Sequence, residues 1–425
     1  MVHGGEHEEW LMQRAKGTRD LFGRELRAQR RVIEVLSGVF SRYGFREVET
    51  PVFEPLELFT LRSGESIVSQ LYSFQDKSGN WLALRPELTA PVARLYCERF
   101  RSEPKPVKLC YFGSCFRYEE PQAGRWRQFH QAGVEIIGSS LPASDAEVVE
   151  MADEAFEELG IRRRLVLGQI AILRETLRRS GVEEVAQDPI LRAIDSGEER
   201  RLEGELERAR VPQEDRTKIK RLVALKGGKG ILEQAERLVQ DSGVALGALR
   251  NLREITELLD EVGVRYELDL GIARGLDYYT GSVFEFYAEQ WQVAGGGRYD
   301  GLIGLVGGEQ VPAVGIGFGI DRISLLLEVE DEPAPDLVVL PAGSGLLKEC
   351  FKLARDLRRR GLRVEVDLLG RKLGKGLEYA SARGAARVVI VGAKDLQHGK
   401  VTLRDMRTGE QLLVGLDELA EELKT

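Results

Sequence analysis

The chain has 425 residues, too many for one ordinary core, so two or three domains are expected. Hydrophobic residues make up 43% and charged residues 31%, and the formal net charge of -8 excludes a protein that coats nucleic acid by bulk charge while leaving room for a local basic groove. No apolar run approaches the ~20 residues of a membrane span and residues 1–10 are acidic and polar, so neither a membrane helix nor a signal peptide is expected and the chain reads as cytoplasmic.

Cys97, Cys110, Cys115 and Cys350 contain no C-x-x-C pair and read as buried free thiols rather than disulfides or zinc ligands. His3 and His7 sit in a polar tail, so no metal site built on His or Cys is expected.

In chain order, residues 17–42 read as a turn and an amphipathic helix, with Leu26, Ile33, Leu36, Val39 and Phe40 near helical spacing. Residues 44–59 read as a strand broken at Pro51, and residues 73–84 as a hairpin turned at Lys77-Ser78-Gly79-Asn80. Residues 85–100 read as a helix entered through Pro86 and Glu87. Residues 183–262 shift to Leu, Ala, Glu, Arg and Lys at helical spacing, the composition of a helical insertion. Strand signals return over 265–308, and residues 311–328 read as a strand running into a helix. The acidic stretch VEDEPAPD, with two prolines, is the linker candidate, and beyond it strands and helices alternate in a compact α/β unit. The expected domains are 1–182 and 263–328 as two parts of one antiparallel α+β unit, 183–262 as its insertion, 329–335 as linker and 336–425 as the C-terminal domain.

The stretch 116–135, FRYEEPQAGRWRQFHQAGVE, carries the chemistry. Strand parity puts Arg117, Glu119, Arg125, Arg127, Phe129, Gln131 and Glu135 on one face, and Phe116, Tyr118, Trp126, His130, Ala132 and Val134 on the other. Guanidinium groups sharing a face with carboxylates and a ring suit a phosphate, a stacked base and a cationic group. A solvated face laced with ion pairs is the alternative for an average hairpin. Against it, Gln131 and Glu135 stand among glycines and apolar residues, and ARGLDYYTG places Arg274 and Asp277 beside Tyr278 and Tyr279. The run AGGGRYDG permits close backbone approach of a ligand, although alone it would fit a bulged hairpin equally. His130, on the apolar parity, reads as a core histidine.

The proline-bearing strand 44–59, LRPELTAP, FRYEEPQAGRWRQFHQAGVE, RGLDYYTG, GGGRYDG and GIGFGIDRI, in this order, resemble the motifs of the histidyl-tRNA synthetases, a class II aminoacyl-tRNA synthetase family. The resemblance implies an α+β fold: a class II antiparallel-sheet catalytic domain with a helical insertion, followed by a C-terminal α/β anticodon-binding domain. It implies ATP and Mg2+, L-histidine and tRNA(His) as ligands, a homodimer built on the first motif, and no membrane partner. Carried onto this sequence, it makes Arg274 and Arg117 the catalytic pair that stabilises charge on the α-phosphate. Arg322 and Phe129 would sandwich adenine, with Glu119 and Arg125 in the same ATP group and Glu119 the candidate Mg2+ contact. Glu87, Thr89 and Gln131 would meet the histidine amino group, and Glu135, Tyr279 and Tyr278 its imidazole. Arg371, Lys372 and Lys375 are candidate tRNA contacts in the C-terminal domain, and a solvated basic turn is the equal alternative for each. Glu120 stands where bacterial members often carry a basic residue, so the acceptor-end contacts of that loop stay open. A noncatalytic regulator resembling the regulatory subunit of ATP phosphoribosyltransferase, and a tRNA sensor that binds without reacting, are the competing readings.

Overall fold

The computed structural model describes residues 13–61, 69–120, 124–273, 278–331 and 333–423. Backbone contacts divide the chain into two compact units, one ending at Val329 and one beginning at Glu330.

In the first unit, strands β1 (Arg46–Glu47), β2 (Phe53–Pro55), β3 (Ser73–Gln75), β4 (Trp81–Leu84), β5 (Val107–Phe116), β6 (Gln128–Ile137), β7 (Arg164–Gln169), β8 (Lys226–Gly227), β9 (Glu267–Asp269), β10 (Ser282–Ala288), β11 (Trp291–Arg298) and β12 (Ala313–Gly319) form two sheets. The large one has nine strands in the order β1-β5-β6-β12-β11-β10-β7-β9-β8. Its centre is antiparallel, while β1 joins β5 and β9 joins β7 in parallel. The stretch 44–59, expected as a strand broken at Pro51, does break there, and its two parts enter different sheets: β1 pairs with β5 in the large sheet and β2 with β4 in the small sheet β2-β4-β3. A proline cannot donate to a continuing ladder, so the break follows from the sequence.

One face of the large sheet is core. Even-numbered residues of β5, β6 and β12 (Cys110, Ala132, Val134, Ile136, Ile316, Phe318) are buried under the helices Gly23–Arg42 and Pro142–Glu158. The first helix buries Ala28, Val32, Val35, Leu36, Val39 and Phe40 along one stripe, the 3.6-residue period of an amphipathic helix. Phe40 packs against Phe112 and Phe318 with ring centroids 5.6 and 5.7 Å apart, and Phe156 of the second helix closes on Phe318 at 5.8 Å. Each such ring stabilises the fold by roughly 2–3 kcal/mol through burial, so the odd-numbered face opposite is left to chemistry.

The helix expected over 85–100 begins later, at Thr89, because the residues ahead of it are otherwise engaged. Buried Arg85 donates to the carbonyls of Thr50 and Ser114 at 2.6 and 2.8 Å, and Glu87 accepts from the backbone N–H groups of Thr89 and Ala90 at 2.6 and 3.1 Å. A carboxylate over the first N–H groups satisfies donors the helix cannot.

Residues 183–262 hold the helices Glu184–Asp195, Glu199–Arg208, Gln213–Val223, Gly230–Val239 and Gly243–Glu261, with β8 lying between the third and fourth. Among the described residues no helix is long and apolar enough to cross a membrane.

The second unit is a five-stranded sheet of β13 (Leu337–Pro341), β14 (Val364–Val366), β15 (Arg387–Val391), β16 (Lys400–Asp405) and β17 (Gln411–Gly415), ordered β14-β13-β15-β16-β17. The first three are parallel, linked by the helices Leu347–Arg359 and Leu373–Ala382, and β16 and β17 close the edge as a hairpin.

Candidate active site

The odd face of the large sheet forms the floor of a cavity of about 630 Å3. Glycines make the floor low: Gly315 faces Glu135 across the β12–β6 ladder, Gly317 faces Gly133, and Gly295 and Gly297 continue the rows on β11. A Cβ on Gly315 would stand 1.7 Å from the Glu135 carboxylate, and one on Gly317 would stand 2.5 Å from the Gln131 amide. The spacing in GIGFG is therefore what admits these two side chains.

One end of the cavity is dry. Glu135 is 1% exposed, accepts from the Tyr111 hydroxyl at 2.9 Å, and accepts a short bond from the Tyr299 hydroxyl. Burial pushes its carboxyl up to about 7 against the opposing O–H donors of Tyr299, Thr89 and Tyr111. The same burial, reinforced by the Glu135 charge, raises both tyrosines well above their ordinary range, so they remain donors. Thr89 lies 3.5 Å from the Tyr111 hydroxyl, and burial raises Glu87, opposed by the Ala90 and Thr89 N–H groups and by Arg117. Tyr278 meets the Tyr299 ring edge-on at 5.7 Å, whereas Tyr279 is buried against Gly297 and leaves Tyr278 the more open phenol. The Cys115 thiol, pushed up to about 12 by burial, donates to the Gln131 amide oxygen at 3.4 Å.

The other end is more open and cationic. Arg117 donates to the Pro86 carbonyl at 2.9 Å, and its guanidinium lies 5.1 Å from the centre of the Phe129 ring. Arg322 donates to the carbonyls of Gly124 and Gln292 at 3.1 and 2.8 Å. Burial and the nearby Arg125 lower its pKa, with Glu119 opposing and Arg117 adding to the fall. Neither arginine is neutralised by a carboxylate in these contacts, so both bring positive charge into the cavity. Glu119 meets Arg125 at 3.8 Å, too long for a hydrogen bond, and offers its oxygens to the same space.

Glu87, Thr89, Arg117, Glu119, Arg125, Phe129, Gln131, Glu135, Tyr278, Tyr279 and Arg322, named from sequence, all line this one cavity. Arg274 and Asp277 lie outside the described residues. Arg127, assigned by parity to the same face, is turned away: β6 begins at Gln128, and the Arg127 guanidinium sits over Tyr118 at 4.0 Å. His130 is half-buried rather than a core histidine, 3.3 Å from the Ser114 hydroxyl and on the cavity wall.

Sequence reasoning missed Tyr111, Tyr299, Glu285 and Gln292, and also Arg192 and Asp195, which the helix Glu184–Asp195 brings to the cavity. The Gln292 amide donates to the Glu285 carboxylate at 2.7 Å, and its carbonyl holds Arg322. A signal existed for Tyr299, which lies inside GGGRYDG; for Tyr111 there was none, because only the ladder sets it opposite Gly133, where a Cβ would come within 2.3 Å of its hydroxyl.

In the C-terminal unit Arg371 is turned back onto buried Asp367 and over the Tyr379 ring at 4.3 Å, and Lys375 pairs with Glu378 at 2.6 Å. Lys372 is exposed at the start of the helix Leu373–Ala382.

Residues 17–323 match the family model described as histidyl-tRNA synthetase, and residues 336–425 match the one described as anticodon binding domain. The histidine–tRNA ligase of Methanosarcina acetivorans is 44% identical over 97% of this chain and 98% of its own length. That of Methanocaldococcus jannaschii is 41% identical over 96% and 99%. The crystal structure of histidyl-tRNA synthetase from Nostoc sp. PCC 7120, 26% identical, superposes with a TM-score of 0.76 over 97% of this chain and 99% of that one. With the family model spanning most of the length and these relatives aligned nearly end to end, the chain belongs to the histidyl-tRNA synthetase family.

Proposed function

We propose that the chain is a histidine–tRNA ligase that joins L-histidine to the AMP part of ATP, releasing pyrophosphate, and then passes the histidyl group to the 3′ end of tRNA(His), releasing AMP. The observation that carries this reading is the pairing, in one cavity, of a buried carboxyl fixed by two phenols with two arginines held by backbone carbonyls.

In the first step a histidine carboxylate oxygen bonds to the α-phosphorus and the bond to pyrophosphate breaks. Arg117, between the two ends of the cavity, stabilises the negative charge that gathers there, and the family resemblance of ARGLDYYTG assigns Arg274 the same task. Phe129 and Arg322 take the adenine between them, and Arg125 supports the phosphates. Glu119, whose carboxylate lines this end, would hold Mg2+ beside the phosphates, and the ion would supply neutralisation of phosphate charge there. Glu87, Thr89 and Gln131 receive the amino group, and Glu135 with Tyr278 and Tyr279 reads the imidazole. A buried site committed to hydrogen bonds rejects amino acids lacking the ring nitrogens by ~10⁴ or more, so discrimination needs no second hydrolytic site.

The C-terminal unit reads the anticodon, and its intact sheet supports a ligase over a regulator lacking that unit. A homodimer is supported by the small sheet, where Phe53 and Phe74 are 51% and 41% exposed with rings 6.2 Å apart. Light scattering should give twice the chain mass, and a stable active monomer would contradict it.

The deciding experiment is histidine-dependent exchange of pyrophosphate into ATP, with the other amino acids as controls. A histidine-specific signal, followed by charging of tRNA(His), is the expected result. A folded protein with Mg2+ present and no signal would make the regulator the better reading.

A further inference from the structure

The segment ahead of the first helix, Lys16-Gly17-Thr18-Arg19, is absorbed by none of the motifs above, yet it touches two of them at four points. Lys16 pairs with Glu120 at 3.2 Å. The Arg127 backbone N–H donates to the Gly17 carbonyl at 2.8 Å. The Arg19 guanidinium lies 4.9 Å from the centre of the Trp126 ring and makes a short ion pair with Asp321. Gly17 has φ +80°, and a Cβ there would come within 2.6 Å of the Arg127 side chain, so only glycine lets the strap lie this close.

Asp321 is the centre of the arrangement. It is buried, and it accepts from Arg19, from the Gln29 amide at 3.5 Å and from the His130 backbone N–H at 2.6 Å. It thereby ties the helix Ile320–Ser324 to β6. Its chain neighbour is Arg322, and the neighbours of His130 are Phe129 and Gln131, so the tie stands one residue from three cavity side chains. Arg322 itself reaches back to the Gly124 carbonyl beyond Trp126. Two consecutive residues of one short helix thus hold both the turn before the returning strand and the strand itself, and Arg19 supplies the positive charge that a buried carboxylate needs.

We propose that Arg19 is a positioning residue for adenylate formation: through Asp321 and Trp126 it locks the helix carrying Arg322 against the strand carrying Phe129, fixing the nucleotide end of the cavity. The proposal rests on the activation reading given above. Misplacing catalytic groups by about 1 Å costs up to ~10²-fold in rate, and Arg19 acts at one remove.

The test uses Arg19→Gln, Arg19→Lys, Asp321→Asn and the double variant Arg19→Gln/Asp321→Asn, with exposed Asp20→Asn as control. Exchange kinetics are measured against ATP and histidine, labelled-ATP binding by fluorescence anisotropy, and folding by thermal melting. Arg19→Gln is expected to lower the exchange kcat about tenfold and to raise the ATP KM, leaving the histidine KM unchanged. Arg19→Lys should recover part of the loss, and the double variant should be no worse than Asp321→Asn alone. Unchanged kcat and ATP KM in a folded Arg19→Gln protein would overturn the proposal. Should Arg19→Gln fail to fold, Asp321→Asn decides, and kcat and ATP KM unchanged in that protein would overturn it equally. Absence of exchange in the unmodified protein would count against the activation reading, while weaker ATP binding by Arg19→Gln would still support the lock and undiminished binding would still refute it.

Discussion

The two ends of the cavity solve opposite problems with different materials. At the dry end the Glu135 carboxyl is buried and held by two buried phenols, Tyr111 and Tyr299. At the open end arginines are aimed by neutral backbone carbonyls: Pro86 for Arg117, and Gly124 with Gln292 for Arg322. A desolvated group committed to specific hydrogen bonds penalises the wrong ligand heavily, which suits selection of a small amino acid. A guanidinium fixed by a dipole keeps its full charge for a polyanion, which suits phosphate stabilisation. Specificity and charge stabilisation are thus separable along one sheet, and substitutions at the two ends should fail in different kinetic constants.

The harshest way to break this division is at its boundary. Arg117 belongs to the open end by its contact with Phe129 and to the dry end by its pull on Glu87. Arg117→Ala should lower the exchange kcat by ~10²-fold or more while tRNA binding survives, and Arg274→Ala should do the same. A loss confined to the ATP KM would make either arginine a binding group only.

At the dry end Gly315→Ala tests whether the carboxyl needs its present seat, since the new Cβ would fall 1.7 Å from a Glu135 oxygen. Histidine kcat/KM should fall by roughly 30-fold with the ATP KM unchanged; equal damage to both substrates would mean that the ends are not independent. A second test reads the same carboxyl through stability. Its value is raised from 4.5 to about 7, so the native state holds a proton that the unfolded chain has released. The associated stability is complete below about 4.5 and is lost as the pH climbs through about 7. Denaturant titrations should show the unmodified protein losing at least about tenfold in its folding equilibrium between pH 5 and pH 7 relative to Glu135→Gln. Parallel curves for the two proteins would remove the desolvation argument.

The same division governs what could be read from the amino acids. Within a strand the period of two fixes faces, so Arg117, Phe129, Gln131 and Glu135 could be put on one side of the sheet, and the cavity brings them together. The rule failed at Arg127 because the strand starts one residue later and the turn before it follows no period of two. Tyr111 stayed hidden because ladder register alone brings it to Glu135, and Tyr299, although inside a quoted motif, was passed over because its partner depends on the chain's path after β11; neither pairing can be counted along the sequence. The pairing of Arg19 with Asp321 spans 302 positions and has no periodic signature. His130 was misjudged since parity predicts the face of a residue, not how much of that face a short helix covers.

The smallest effect should come from Arg125, and it bears on whether the open end works by fixed charge or by charge in general. Its side chain is 55% exposed and meets Glu119 only at 3.8 Å, whereas Arg117 and Arg322 are pinned by carbonyls. An exposed, loosely held cation contributes little in water and is screened by salt. Arg125→Ala should therefore raise the ATP KM by about threefold at low ionic strength, leave kcat intact, and lose most of that effect in 0.5 M salt, where the Debye length is about 4 Å. A salt-independent loss of kcat would show that Arg125 is held as firmly as its neighbours once nucleotide is bound, and the open end would then share the preorganisation that sets the dry end apart.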